Sequence, residues 1–417
     1  MLKIVRPICC GIDVHKKFVV ATIGTTNHSG VTDYVTRQFS TFTSDLIKLR
    51  SWLLEHDCRD VCMESTGKYW IPVFNILESE CSVFVANPKY VKGIRGKKTD
   101  KKDALWLCDL HKHNLAPNSF IPPLPIRQIR DLMRYRFKLT NIASGEKNRV
   151  QNSLTVSNIM LSSVVSDTLG KSSTKILRHL LKDTEDTSFD VLPLLHPSMH
   201  GKAEVISQSI QGTLTPPQAD KIELCLKHLD SVKSLKSDIE DILLKLAAPY
   251  FTQLELLLTM PGIKNVFTAI GIIGEIGVDM TIFPTAKHLC SWAGLVPQNN
   301  ESAGKKKSVR VSRAGVYIKP LLVQCAHAVV RSKECPYFAF KYERLKQRRG
   351  AKKAILAIAR MLLTCIYHIL AKNEPFDEAL YRVADPMPAG RNQPIDLAQA
   401  IALLESMGAT ITMPGST

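Results

Sequence analysis

The chain has 417 residues, enough for two or three domains with real cores, and its 45% apolar content excludes wholesale disorder. Fifty-five Lys and Arg oppose 38 Asp and Glu, a formal charge of +17 that points to a polyanionic partner, nucleic acid above all. The opening MLKIVRPICCGIDVHKK lacks a secretory leader pattern, and the longest apolar run, residues 354–370, carries Arg360 and His368 and falls short of a membrane span. Eleven cysteines, an odd number without regular spacing, fit reduced thiols in a cytosolic compartment. Cys108, His111 and His113 have no second ligand pair at zinc-site spacing and are read as structural.

ICCGIDV followed by KFVVATIG predicts a β-hairpin turning at residues 15–17. DLIKLRSWLLEH (45–56) carries apolar residues at helical spacing. DVCMES (60–65) predicts a short buried strand, YWIPVFNILESE a helix after it, and CSVFVANP (81–88) a strand closed by Asn-Pro. Strands separated by helices indicate an α/β sandwich over about residues 5–115.

Residues 127–165 are helical, whereas 166–218 lose periodicity and read as an irregular insertion. Ile222, Cys225, Leu229, Val232, Lys236, Ile239, Leu243 and Leu246 then fall at alternating a and d positions. That favours a coiled-coil seam and a dimer arm, although an antiparallel hairpin with the 127–165 helix gives the same pattern. LTMPGIKNVFTAIGIIGEIG (258–277) resembles a helix-hairpin-helix element, whose helix N-terminus can hold a phosphate, and equally a plain core unit. Helices are expected at 316–331, 337–348 and 352–371. Residues 301–353 carry fifteen Lys/Arg against three Glu, interleaved with Tyr337, Phe338, Phe340 and Tyr342, which marks a nucleic-acid surface. A weakly structured tail is expected over 376–417.

Against this basic background the acids stand out. Seven Lys/Arg lie between residues 89 and 102, yet Asp100 and Asp103 sit among them, three apart and so on one face of a helix. A solvated helix screened by its lysines is one explanation. Asp13 and Glu64 end two of the expected strands, however, and four acids from three elements can converge at one sheet edge. Such a cluster suits two divalent cations about 3.5–4 Å apart, Mg²⁺ or Mn²⁺ by their preference for hard oxygen ligands. No Walker-type glycine loop is present.

GIDVHKK, MESTGKYW, NPKYVKGIRGKKTDKKDA, MPGI and SWAGLVPQNNESAGKKK…VSRAG occur in the order found in the DEDD-type transposases of bacterial insertion sequences, the bridge-RNA-guided recombinases, which the chain resembles over residues 8–160 and 250–372. The resemblance implies an α/β RuvC-like ribonuclease-H fold for residues 1–126, a helical coiled-coil middle over 127–250, and a mainly α C-terminal transposase domain over 251–375. It implies Asp13, Glu64, Asp100 and Asp103 as the metal tetrad for Mg²⁺ or Mn²⁺, and Ser302 as a nucleophile that forms a phosphoserine–DNA link. Ser302-Ala303-Gly304 stands where the family has Ser-Gly, so Ser308 and Ser312 remain alternatives. Lys97, Lys98, Lys101, Lys102, Lys305, Lys306, Lys307, Arg310 and Arg313 are then the expected nucleic-acid contacts. The implied partners are DNA, a guide (bridge) RNA and further copies of the chain as a dimer or tetramer, with no membrane and in the bacterial cytoplasm. Two rivals stay open: a RuvC-like junction nuclease using water, and a nucleic-acid-binding protein whose acids are structural.

Overall fold

The protein, in a computed structural model, divides into two compact units, Met1–Pro122 and Pro123–Thr417. Residues 2–91, 99–184, 186–297, 300–302, 305–308 and 310–379 are described. Lys97, Lys98 and most of the expected tail lie outside them.

The first unit is built on a five-stranded mixed sheet. Strands β1 (Ile8–Val14), β2 (Phe18–Thr26), β3 (Thr32–Ser40), β4 (Asp60–Glu64) and β5 (Ser82–Ala86) lie in the order β3-β2-β1-β4-β5. β1, β4 and β5 run parallel, with β2 antiparallel to both β1 and β3. Helices α1 (Thr43–Glu55), α2 (Trp70–Leu77), α3 (Pro88–Val91) and α4 (Asp100–Lys112) complete the unit. Side chains alternate between the faces of a strand. Cys10, Ile12 and Val14 therefore enter a core with Val19, Ala21, Ile23, Val61 and Met63, closed by Leu46, Leu49, Trp52, Leu53, Val73 and Leu77 of α1 and α2. Cys62 and Ala86 face the other way, toward Leu107 and Leu110 of α4. Burial on both faces is why β1 and β4 read as near-continuous apolar runs. This mixed sheet is consistent with a RuvC-like fold.

β3 has no counterpart among the elements expected from sequence. It is an edge strand whose TDYVTRQFS is largely exposed, so it lacks an apolar signature. Polar contacts hold it instead: Thr22 pairs with Thr36 at 2.9 Å, Thr26 with Thr32 at 3.0 Å, and Lys112 Nζ donates to Tyr34 Oη at 2.8 Å.

The second unit is mostly helical. α5 (Leu124–Val156) is followed by α6 (Leu161–Val164), α7 (Lys171–Lys182), α8 (Ala203–Ser209) and α9 (Pro216–Ala247). α5 and α9 form an antiparallel hairpin, with Arg136 Nη2 bonded to Glu240 at 2.6 Å and Glu146 Oε1 to His228 Nδ1 at 2.7 Å. Ile222, Cys225, Leu229, Val232, Ile239 and Leu243 are buried on α9, whose principal packing partner is α5 of the same chain. The heptad stripe thus serves an internal hairpin, the alternative to a dimer arm.

Residues 166–218 also differ from the expected irregular insertion. Ile176, Leu177 and Leu180 of α7, Ile206 of α8, and Ile210 and Leu214 beyond it make a local core with Val150, Leu154 and Ile222. α8, with seven residues, shows too few turns for its period to emerge. α7 does carry Ile176, Leu177 and Leu180 at helical spacing, and the Ser, Thr, Pro and His clusters around it, which serve caps and 3₁₀ turns, obscure that signal.

α10 (Phe251–Leu258), α11 (Val266–Ile276), α12 (Ala286–Trp292), the hairpin β6 (Asn300–Ser302) and β7 (Lys305–Ser308), α13 (Ile318–Val329), α14 (Pro336–Arg349) and α15 (Ala351–Lys372) finish the unit. The Pro-Gly-Ile turn between α10 and α11 is a packing element. Met260 and Ile263 are buried, and a β-carbon on Gly262 would stand 2.7 Å from the Cys325 carbonyl oxygen. α15 is, by length and composition, long and apolar enough to cross a membrane, which corrects the shorter span read from sequence; 56% of its most apolar stretch is nevertheless buried inside the fold. It packs against α10, α12, α13 and α14. All eleven cysteines are free and buried.

Candidate metal centre and nucleic-acid interface

Gly11 sets how closely the acidic site is built. A β-carbon there would stand 2.2 Å from the Ala104 carbonyl oxygen and 2.3 Å from the Cys108 amide nitrogen. Only bare backbone lets α4 lie so near β1. Strand and helix run in opposite directions, because Cys9 meets Cys108, Sγ to Sγ 3.7 Å, at one end. Four strand residues advance about 13 Å, and eight helical residues about 12 Å. Asp13 therefore arrives at the first turn of α4, which holds Asp100 and Asp103.

Thr99 caps that turn, its Oγ1 accepting from the Lys102 amide at 3.4 Å. Carboxylates in a first turn are favoured by the helix dipole, so Asp100 and Asp103 alone need no metal. Asp13 is different. Its side chain is only 15% exposed. Burial pushes its carboxyl above the ordinary range, His15 pulls it part of the way back, and Asp103 and Asp100 push it up again. A half-buried carboxylate facing two others is poorly placed for folding and well placed to hold a cation.

His15 Nε2 lies 3.0 Å from Asp13 Oδ2 and 3.4 Å from Asp100 Oδ1. Donor atoms of Asp13, His15 and Asp100 all fall within 4.8 Å of one another. The sequence marks His15 only as a turn residue. A signal does lie in its spacing, since residues two apart at a strand end share a face. Glu64 takes its place by register: Ile12 aligns with Met63, so Glu64 follows beside Asp13, and its parity with Cys62 puts it on the α4 face. The structure thus brings Asp13, Asp100 and Asp103 together at the carboxyl ends of parallel strands, where open α/β sheets bind ligands, and Glu64 lies at the matching position of the next strand. The oxygen-rich set fits a hard divalent cation. Lys101 and Lys102 are exposed on the same helical turn.

In the other unit, Ser302 ends β6 with its backbone paired to Lys305, and Glu301 pairs with Lys306. A bridge between Pro297 and Val311 closes the base of this hairpin. Beneath it, two glycines interlock. Gly294 and Gly315 have φ of +67° and +68°, and a β-carbon on Gly315 would stand 2.1 Å from the Ala293 carbonyl oxygen. Lys319 Nζ donates to the Ser312 carbonyl at 2.6 Å, and burial lowers the Lys319 ammonium pKa. The paired Ala-Gly dipeptides of AGLVP and SRAG are therefore a clasp for the hairpin ends. Ser312 Oγ accepts from the Ala314 amide at 3.3 Å, a local turn contact. Arg310 and Arg313 are exposed just beyond β7.

Two family profiles match the chain: DEDD_Tnp_IS110, a transposase, over residues 10–159, and the Transposase IS116/IS110/IS902 family over residues 254–343, together more than half of its length. The chain belongs to the IS110 family of transposases. The first profile spans all four acids and the second spans Ser302. The transposase is 25% identical to the pilin gene-inverting protein of Moraxella lacunata over 89% of its own length and 98% of that protein's. It is 33% identical to the pilin gene-inverting protein of Moraxella bovis over 30% of this chain and 39% of that one. With the transposase for insertion sequence element IS1111A of Coxiella burnetii (strain RSA 493 / Nine Mile phase I) it shares 26% identity over 28% of this chain and 33% of the other.

A transposase acts on DNA, and the hairpin lysines supply a direct test of where. Replacing Lys305, Lys306 and Lys307 together with Ala will weaken DNA binding and flatten its salt dependence, by a slope of about 0.9 for each phosphate no longer neutralised. Titrations at several salt concentrations measure this; an unchanged slope would place the lysines away from DNA.

Proposed function

We propose that this transposase cuts and rejoins the DNA of an insertion sequence with two sets of residues, the four acids Asp13, Glu64, Asp100 and Asp103 as ligands for Mg²⁺ or Mn²⁺, and Ser302 as nucleophile. The observation that carries the reading is the half-buried Asp13, raised by burial and by two neighbouring carboxylates. Bound divalent cations would neutralise charge on the scissile phosphate. The Ser302 hydroxyl, once its proton is taken, attacks that phosphorus; the phosphoserine ester forms as one P–O bond to the DNA breaks, and the released DNA oxygen takes a proton. The ester keeps the phosphodiester's energy, so rejoining needs no nucleotide triphosphate. Guide RNA pairing would choose the sequence, while Lys101, Lys102, Lys305, Lys306, Lys307, Arg310 and Arg313 hold phosphates, with Lys97 and Lys98 joining them. A composite site made from different copies of the chain, in the bacterial cytoplasm, completes the proposal.

A second reading rests on the same acids: they direct water at the phosphodiester, as in a RuvC-like nuclease, and no protein–DNA bond forms. A nicked suicide substrate separates the two. With Ser302 as nucleophile, labelled DNA migrates with denatured protein, and Ser302→Ala removes the band while Ser308→Ala and Ser312→Ala retain it. Free cleaved ends, unchanged by Ser302→Ala, would establish the water reaction instead.

A further inference from the structure

A cavity of about 300 Å³ opens between α5, α11 and α13 in the second unit, outside both sets of residues invoked above. Two aromatic rings stand in its wall. Phe137 and Tyr317 meet edge to face, 5.5 Å between centroids at 81°, and the Arg134 guanidinium lies 4.5 Å over the Tyr317 ring. The cations at the cavity are already neutralised. Arg134 makes a two-point bond to Glu275 at 2.8 and 2.9 Å, and Arg136 bonds Glu240 at 2.6 Å while lying over Phe267. A phosphate would find no unpaired charge there.

What remains is neutral hydrogen-bonding chemistry. The Thr140 and Ser144 hydroxyls donate to the carbonyls one turn back, at 3.1 and 3.0 Å, which leaves their oxygens free to accept. The Asn141 and Gln324 amides make no hydrogen bond among the described residues, and each offers donors and an acceptor side by side. Stacking surface, no net charge and paired donor–acceptor edges are the features that recognise a heterocyclic base. The volume is at the small end of ligand sites, enough for one base and too little for a pair.

We propose that this cavity holds one unpaired nucleobase of a nucleic-acid strand, stacked on one of the two perpendicular rings of Tyr317 and Phe137 and meeting the other at its rim, with its hydrogen-bonding edge bonded by Asn141 and Gln324. Lys138 would meet the strand's phosphate. It is exposed, without an ion pair among the described residues, one turn beyond Arg134 and three residues before Asn141. The proposal deepens the nucleic-acid reading above and rests on it only for the class of ligand.

The test uses the full chain in EDTA, so binding is read without cleavage and independently of the acids and Ser302. Single strands carrying one 4-thiothymine (DNA) or 4-thiouracil (RNA) are irradiated with the protein, and adducts are mapped by mass spectrometry. The expected adduct falls on Phe137 or Tyr317, with DNA, RNA or both identifying the source of the base. Tyr317→Ala should weaken single-strand binding by about 5- to 150-fold, the range for loss of one stacked base, and Tyr317→Phe should keep it. Gln324→Ala, which breaks no internal hydrogen bond, covers the case in which Tyr317→Ala fails to fold, and should weaken binding several-fold. Adducts confined to other segments, or wild-type affinity in folded Gln324→Ala and Tyr317→Ala proteins, would overturn the proposal.

Discussion

Asp13→Asn will abolish metal-dependent DNA strand cleavage without destabilising the fold. Asn keeps the shape and one oxygen of the side chain but not its charge. Loss of a residue that merely orients a metal ligand costs about 10- to 100-fold, so loss of a ligand's charge should cost more. The stability half of the prediction has the opposite sign. Asp13 is half-buried against Asp100 and Asp103, and its carboxyl is pushed up by that setting. Removing the charge relieves burial and repulsion together, offset by a weaker attraction to His15. The metal-free variant should melt at or above the wild-type temperature. Wild-type protein should gain melting temperature on adding Mn²⁺, as any ligand of the folded state requires, and the variant should lose that gain. Asp103→Asn should behave alike. Recombination at the wild-type rate in Mg²⁺ by either variant would end the tetrad assignment; a large drop in metal-free stability would mean that the acids hold the fold together.

Gly11→Ala should be nearly as damaging for a different reason. The new methyl meets backbone, the Ala104 oxygen and the Cys108 nitrogen, on a helix that cannot bend away locally. Overpacking of a core costs roughly 1–3 kcal/mol, and a clash with backbone belongs at the upper end. Relief comes only by lifting α4, which carries Asp100 and Asp103 away from Asp13. Urea unfolding followed by tryptophan fluorescence, to which Trp52, Trp70 and Trp106 of this unit contribute along with Trp292, should show a lower midpoint for the first unit, and cleavage should fall further than stability explains. A wild-type midpoint with normal cleavage would show that α4 sits farther from β1 than described.

The elements readable in advance were those whose burial is written in composition. β1, β2, β4 and β5 are apolar because both faces of the sheet are covered, and α13 to α15 carry long amphipathic runs. β3 was hidden because an edge strand held by hydroxyl pairs and Tyr34 needs no apolar face. α8 was hidden by brevity, and the apolar spacing of α7 by the Ser, Thr, Pro and His clusters around it. The stripe on α9 was visible but its cover was not: a helix's period states that something lies against it, never what. At the site, Asp13 and Asp103 could be found as acids out of place in a basic chain. His15 carried only its spacing from Asp13 as a signal, and the approach of α4, which brings Asp100 within 3.4 Å of it, is not written in that spacing.

The position of α15 has a consequence for how the protein is made. Ten of its side chains, from Ala354 to Leu370, are buried, against α10, α12, α13 and α14, all of which precede it in the chain. A ribosome adding about 5–20 residues per second needs roughly 5–20 s to pass from α10 to α15. Until α15 emerges, the apolar side chains of the earlier helices that pack against it lack that cover. The nascent transposase is therefore a client for chaperones until its last described helix emerges. Premature termination at Gly350 would leave those apolar faces without their cover, and quality control, not lost chemistry, would remove the remnant from the cell.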